Sequence, residues 1–127
     1  MSGAAIRTQV IAEVIMAAVN AREADRIEVC TTDDVELLLP PRHVYNGHTG
    51  IEDFLSALAR RLPHVLVVTD QRYCGNDFAV LEWEAESESG ERFLQTVGCV
   101  VFCFRGELVN RIHLYLDTEL WDALGDD

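Results

Sequence analysis

The residues best suited to chemistry lie on short stretches of alternating polarity. "RIHLYLDT" runs from Arg111 to Thr118, with Ile112, Leu114 and Leu116 apolar and His113, Tyr115 and Asp117 polar. On a strand these two sets face opposite ways. His113, two residues from Tyr115, has the residue type of a general base that works near neutral pH. Its plainer reading is a histidine that hydrogen-bonds across an interface. His113 and Asp117 would stand about 13 Å apart along a strand, too far to share a metal. Glu36 sits among Val35, Leu37, Leu38 and Leu39. Facing inward, it would be raised in pKa by burial and serve as an acid or base; facing outward, it is a solvated strand carboxylate. Tyr45 lies with His43 and His48 in "PRHVYNGHTG", and rings on a loop at a pocket mouth can gate or hydrogen-bond a ligand. The catalytic candidates are therefore Glu36, Tyr45 and His113, with His43 as a ligand-binding residue.

Glu82, Glu84 and Glu86 share one face of a strand opposite Leu81, Trp83 and Ala85. Three like charges resist joint burial, so they mark the solvated side and leave Trp83 to wall a pocket or fill a core. Tyr73 and Gln95 are polar points that fit a pocket wall and are otherwise ordinary strand residues. No cysteine pair has metal-ligand spacing, no nucleophile elbow occurs and no Gly-rich phosphate loop follows a strand. Neither a metal nor a cofactor is expected.

The elements that must position these groups are bounded by composition. The chain has 127 residues, 49% of them hydrophobic, and a net charge of −12. That length fits one domain over residues 1–127. So acidic a surface repels phosphate backbones, which argues against a nucleic-acid partner. Gln9 and Glu13 interrupt the apolar N-terminal run, so neither a membrane span nor a signal peptide is expected there. Cys30, Cys74, Cys99 and Cys103 read as reduced thiols of a cytoplasmic protein.

Ile6, Val10, Ile11, Val14, Ile15 and Ala18 recur at helical spacing and predict a first helix. "READRIEVC" predicts a short second helix, and "DVELLLP" a strand closed by Pro40 and Pro41. In "TGIEDFLSALARRL", Thr49 and Glu52 form a capping box for a third helix that Pro63 stops. "HVLVVTDQRY", "FAVLEWEAE", "RFLQTVGCVVFCF" and "ELVNRIHLYLD" predict a four-strand meander with turns at "GND", "SESGE" and "RG". "ELWDAL" predicts a closing helical turn. The expected fold is α+β: a cone-shaped curved mixed β-sheet with three N-terminal-half helices packed on its concave face. Such a cone has an interior, and an apolar interior is by default a small-molecule pocket.

Three stretches carry a family resemblance: "TTDDVELLLPP", "YNGHTGIEDFL" and "GCVVFCFRGELVNRIHLYLDTELW". They resemble the nuclear transport factor 2-like superfamily, most closely its SnoaL-like, polyketide-cyclase-like members. The likeness spans nearly the whole chain and specifies a fold better than a reaction. It implies that positions used by limonene epoxide hydrolases fall at Glu36, Leu38 and near Leu114. Those used by ketosteroid isomerases fall at Leu39 and near Val100, and the cyclase aspartate falls again near Leu114. Positions that hold carboxylates in those relatives are aliphatic here, at Leu39, Val100 and Leu114. The resemblance makes Leu38, Val100 and Leu114 pocket residues beside Tyr73, Trp83 and Gln95. With Leu114 facing the pocket, Ile112 and Leu116 share its side, and His113, Tyr115 and Asp117 point outward, where relatives meet a second subunit.

The resemblance therefore implies an enzyme of cyclase, isomerase or epoxide-hydrolase type, acting on a small apolar molecule by cofactor-free acid–base chemistry. The alternative is a noncatalytic small-molecule-binding or dimerisation module of the same fold. The expected partners are a small apolar molecule and a second copy docked on the outer sheet face, with no nucleic acid and no membrane.

Overall fold

A computed structural model describes residues 2–41, 43–63, 65–87, 96–117 and 121. The order of elements is α1 (Gly3–Ala21), α2 (Ala24–Glu28), β1 (Thr31–Leu39), β2 (His43–Asn46), α3 (Gly47–Arg61), β3 (Val65–Cys74), β4 (Phe78–Ser87), β5 (Thr96–Arg105) and β6 (Leu108–Tyr115). Six strands form one sheet in the order β2-β1-β6-β5-β4-β3. β1 runs parallel to β6 and every other pair is antiparallel. Three helices pack on this curved, unclosed, mixed sheet, as the sequence predicts.

Pairing sorts the side chains into rows. Ala79, Phe102, Ile112, Leu37 and Tyr45 are successive partners across five strands on the helix-covered side. Leu81, Val100 and Leu114 form the next inner row. Burying these rows under α1 and α3 is the main force that holds the layers together. The outer face carries Tyr73, Val80, Val101, His113, Leu38 and Val44 as successive partners across all six strands.

α1 departs from the face read off its periodicity. It buries Ala5, Thr8, Ala12, Ile15, Met16 and Ala18, while Ile6 and Val10 stay half-exposed at 51% and 55%. Small residues let the helix lie close to the β3–β4 hairpin, and the Thr8 hydroxyl bonds the Gly75 carbonyl at 2.9 Å. α1 is also long and apolar enough, by length and composition alone, to cross a membrane, contrary to the sequence expectation. Here its polar side is used within the fold: Glu13 pairs with Arg72. Asn20 clasps the edge strand twice, through Nδ2 to the Val67 carbonyl at 2.9 Å and Oδ1 from the Val67 amide at 2.8 Å.

Two further boundaries differ. Part of the polar loop before α3 is a strand, β2, whose ladder with β1 gives "HVYN" a backbone partner despite its polarity. α3 starts at Gly47, two residues before Thr49, and its N-cap Asn46 makes no side-chain cap bond. Thr49 therefore lies inside the helix, and Glu52 turns instead toward Glu28. The "SESGE" turn lies largely outside the described residues, as does most of "ELWDAL".

The sheet is tightest at Gly98, which pairs with Trp83. A Cβ there would stand 2.5 Å from Trp83 Cζ2 and closer still to the Tyr115 carbonyl oxygen. Gly98→Ala must push ring or strand aside. It should cost about 1–3 kcal/mol in urea unfolding and alter the near-ultraviolet circular dichroism of Trp83. An unchanged midpoint and spectrum would refute the close approach.

Candidate functional site

The inner rows and the helices enclose a cavity of about 100 Å³. Ile15 and Met16 of α1, Phe54 and Leu58 of α3, and Val100 and Leu114 of the sheet are among its walls. The described lining is hydrocarbon apart from four groups: the Met16 thioether, the indoles of Trp83 and Trp121, and Asp117. A water molecule needs several polar partners to remain in such a space.

The cavity answers which face of β6 looks inward. Ile112, Leu114 and Leu116 line it, while His113 and Tyr115 lie on the other side of the strand, their rings 6.3 Å apart edge-to-face. Asp117 breaks the alternation. β6 ends at Tyr115, so the strand rule no longer governs it, and Asp117 lies at the cavity wall while remaining exposed. It is the rim carboxylate, not an outward residue.

The structure separates the three catalytic candidates. Glu36 pairs with Arg111 in the parallel ladder, on the same outer face as Leu38 and His113, and its carboxylate lies 3.6 Å from the Arg111 guanidinium. Of the two orientations open to Glu36, the structure takes the outward one: strand register turns it out, and 44% of its side chain is exposed. His113 is half-buried on that outer face, beside Val101 and Leu38. Tyr45 points inward but lies against Phe54, ring centroids 5.6 Å apart and edge-to-face, behind the cavity wall. Glu36 and His113 are thus diagonal neighbours on the outer face, Tyr45 lies on the other side of the sheet, and none of the three lines the cavity.

Of the ligand-binding candidates, Trp83, Val100 and Leu114 line the cavity. Leu38 faces outward with His113. Tyr73 lies 53% exposed in the outer row, because its partner is Val80 rather than Ala79. His43 pairs with Leu39 at the β2 edge and does not line the cavity. Gln95 lies outside the described residues. Glu82 is exposed on the outer face, as its spacing predicts.

Trp121 and Asp117 escaped the sequence reading. The Trp121 amide bonds the Asp117 carbonyl at 2.9 Å, and its ring stacks on Phe54 at 5.8 Å. Arg61 covers the ring at 4.5 Å and donates from Nη1 to the Trp121 carbonyl at 3.0 Å. Contacts of these kinds contribute on the order of 0.5–2 kcal/mol each. The one signal for this residue was a tryptophan in an otherwise acidic end segment, "LDTELWDALGDD".

Both indole N–H groups are buried and meet no acceptor among the described residues. Leaving a buried donor unpaired costs about 1–3 kcal/mol.

A charged cluster stands behind the roof rather than in the cavity. His48 Nε2 lies 3.0 Å from the Thr31 hydroxyl. A hydrogen bond with Glu52, burial, and the Glu52 charge together hold the Glu28 carboxyl above its usual range, with His48 opposing them. Ile27 and Ile51, beside this pair in sequence, are cavity residues. A carboxyl whose pKa is raised by folding binds its proton more tightly in the fold, so its stabilisation is present at acid pH and lost as pH rises through the raised value. Thermal melts should therefore fall as pH climbs from the ordinary 4.5 toward neutrality. Glu28→Gln, which keeps a bonding group without the charge, should flatten that fall; a variant that falls equally would refute the shared proton.

The sequence matches the family model of the SnoaL-like domain over residues 12–112. A search of curated proteins finds none that matches. Among solved structures, a protein from Jannaschia sp. CCS1 provisionally assigned as a SnoaL-like polyketide cyclase superposes with a TM-score of 0.83 at 11% identity, covering 94% of this chain and 91% of that one. TerC, co-crystallised with polyporic acid, gives 0.78 at 17% identity, over 93% and 97%. A protein from Kribbella flavida DSM 17836 provisionally assigned as a ketosteroid isomerase gives 0.74 at 16%, over 89% and 79%. Likenesses at these identities establish the fold alone.

Proposed function

The chain belongs to the SnoaL-like domain family of the nuclear transport factor 2-like superfamily, and on that premise we propose that its cone takes up a small apolar molecule. One observation carries this reading: a partly open cavity of about 100 Å³ whose described walls are almost wholly apolar. Hydrocarbon walls bind by removing apolar surface from water, at roughly 25 cal/mol per Å². The co-crystallised ligand of TerC supports the same use of the fold.

Toluene titrated against the protein should shift the methyl resonances of Leu58, Ile112 and Leu114. Ala85→Leu fills the cavity from its wall and should abolish those shifts while leaving the protein folded. Toluene shifts that survive Ala85→Leu, or that map to the outer face, would refute the site.

Cofactor-free acid–base chemistry on the bound molecule is the second reading. It is favoured by the isomerase and cyclase assignments of related structures and by Asp117, the lone carboxylate among the described lining residues. Asp117 is the candidate general base, replacing Glu36 and His113, which stand outside the cavity. Wild-type protein should then exchange the methyl protons of acetophenone into D2O, and Asp117→Asn should slow that exchange by on the order of 100-fold. Exchange no faster than in buffer would leave binding as the whole function.

The outer row Tyr73–Val80–Val101–His113–Leu38–Val44 is proposed to meet a second copy of the chain, with His113 and Tyr115 near its centre. An apolar row across six strands, with Val44 and Tyr73 about half-exposed, is the kind of surface that marks an interface. Native mass spectrometry should give twice 14.2 kDa, and Val101→Asp should return the monomer mass. Four cysteines without disulfides support a reducing compartment such as the cytoplasm.

A further inference from the structure

We infer that the cavity takes only the hydrocarbon part of its ligand: one ring, or an equal bulk of branched alkyl, with no heteroatom inside and with Met16 as the wall that sets its size. The inference rests on the reading of the cone as a ligand pocket and names the class of ligand.

Three observations carry it. The first is that the described walls present almost no polar surface to the interior. Of the four side chains there that carry a heteroatom, Trp83 and Trp121 keep their indole nitrogens buried, with essentially no accessible surface. The Met16 sulfur is only a weak acceptor. Asp117 is exposed at the rim. An oxygen or nitrogen carried inside would lose its water and gain no partner, which disfavours it steeply against carbon of the same shape. A polar group on the ligand is therefore held at the rim.

The second is size. An apolar cavity of about 150 Å³ accepts benzene, so a space of about 100 Å³ holds one ring and no second. A fused polycycle of the steroid kind does not fit.

The third is that the flat walls are pinned. Trp121 is stacked on Phe54 at 5.8 Å and covered by Arg61 at 4.5 Å. Trp83 is seated against Gly98, in the space a Cβ would fill. Neither ring can swing aside for a larger guest without giving up those contacts. Met16, buried on α1, is the one long unbranched side chain of the described lining. Such a thioether chain fills irregular gaps, so shortening it widens the cavity and leaves both rings in place.

Benzene, pyrazine and naphthalene test this, titrated against the methyl resonances of Leu58, Ile112 and Leu114. Pyrazine has the shape of benzene with a nitrogen at each end, so one nitrogen lies inside whichever way it enters. Benzene should bind about tenfold more tightly than pyrazine, or better. Naphthalene should leave the wild-type methyls unmoved and should move them in Met16→Ala. Pyrazine as tight as benzene would overturn the hydrocarbon interior, and naphthalene as tight as benzene in wild type would overturn the size limit; either leaves the pocket standing. A folded Met16→Ala that still refuses naphthalene would overturn the role of Met16. No shift with benzene would remove the pocket and the inference together. The wild-type titrations decide the ligand class even where Met16→Ala fails to fold.

Discussion

The approach of Trp83 to Gly98 is the constraint on which the rest of the site depends. The ring sits where a Cβ would be, and the Tyr115 carbonyl of β6 crowds the same point from the other side. A missing side chain thus lets three strands, β4, β5 and β6, converge under one indole. That convergence puts a flat, rigid wall at one part of the cavity, next to Leu116 and below Ala85. Any larger residue at 98 would move the wall.

The opposite wall is assembled from the other end of the chain by a different device. Tyr45, Phe54, Trp121 and Arg61 form a continuous series of ring and guanidinium contacts from β2 through α3 to the residue at position 121. Its parts come from three places in sequence, so the series ties Trp121 to α3. The charge on Arg61 is used in this clamp, facing a π surface and a carbonyl, and is not offered to a ligand. Other charges among the described residues lie away from the cavity: Glu36 is with Arg111 on the outer face, Asp34 with Arg105, and Glu28 with Glu52. Asp117 is the one charged residue of the described lining.

Period-two alternation made the meander and the inner position of Trp83 legible in the sequence, because burial of one face is what alternation records, whereas Val100 and Leu114 were placed in the pocket by the family resemblance. It located Glu36 and His113 on strands but could not orient them, since orientation depends on which neighbour each strand finds. The parallel pairing of β1 with β6 joins segments about seventy residues apart and turns both outward together. β2 was hidden because its residues are polar and its order comes from the ladder with β1 rather than from its own composition. On α1 the apolar stripe misled at Ile6 and Val10, while Ile15 and Ala18 are buried as their spacing predicts. The sheet takes the alanine and threonine side, where the approach can be closest, and Ile6 and Val10 are left at the surface. Asp117 and Trp121 lie past the last strand, where periodicity stops carrying information.

The same strand that decides these placements also sets how the molecule divides its tasks. Along β6 the residues alternate between Ile112 and Leu114 in the cavity and His113 and Tyr115 outside, so two surfaces a strand's thickness apart share one backbone. A polar group can be added to or removed from one surface without changing the chemistry of the other. The one titratable group among the described lining residues lies where alternation does not reach: the Asp117 carboxylate at the rim, where the strand has already ended.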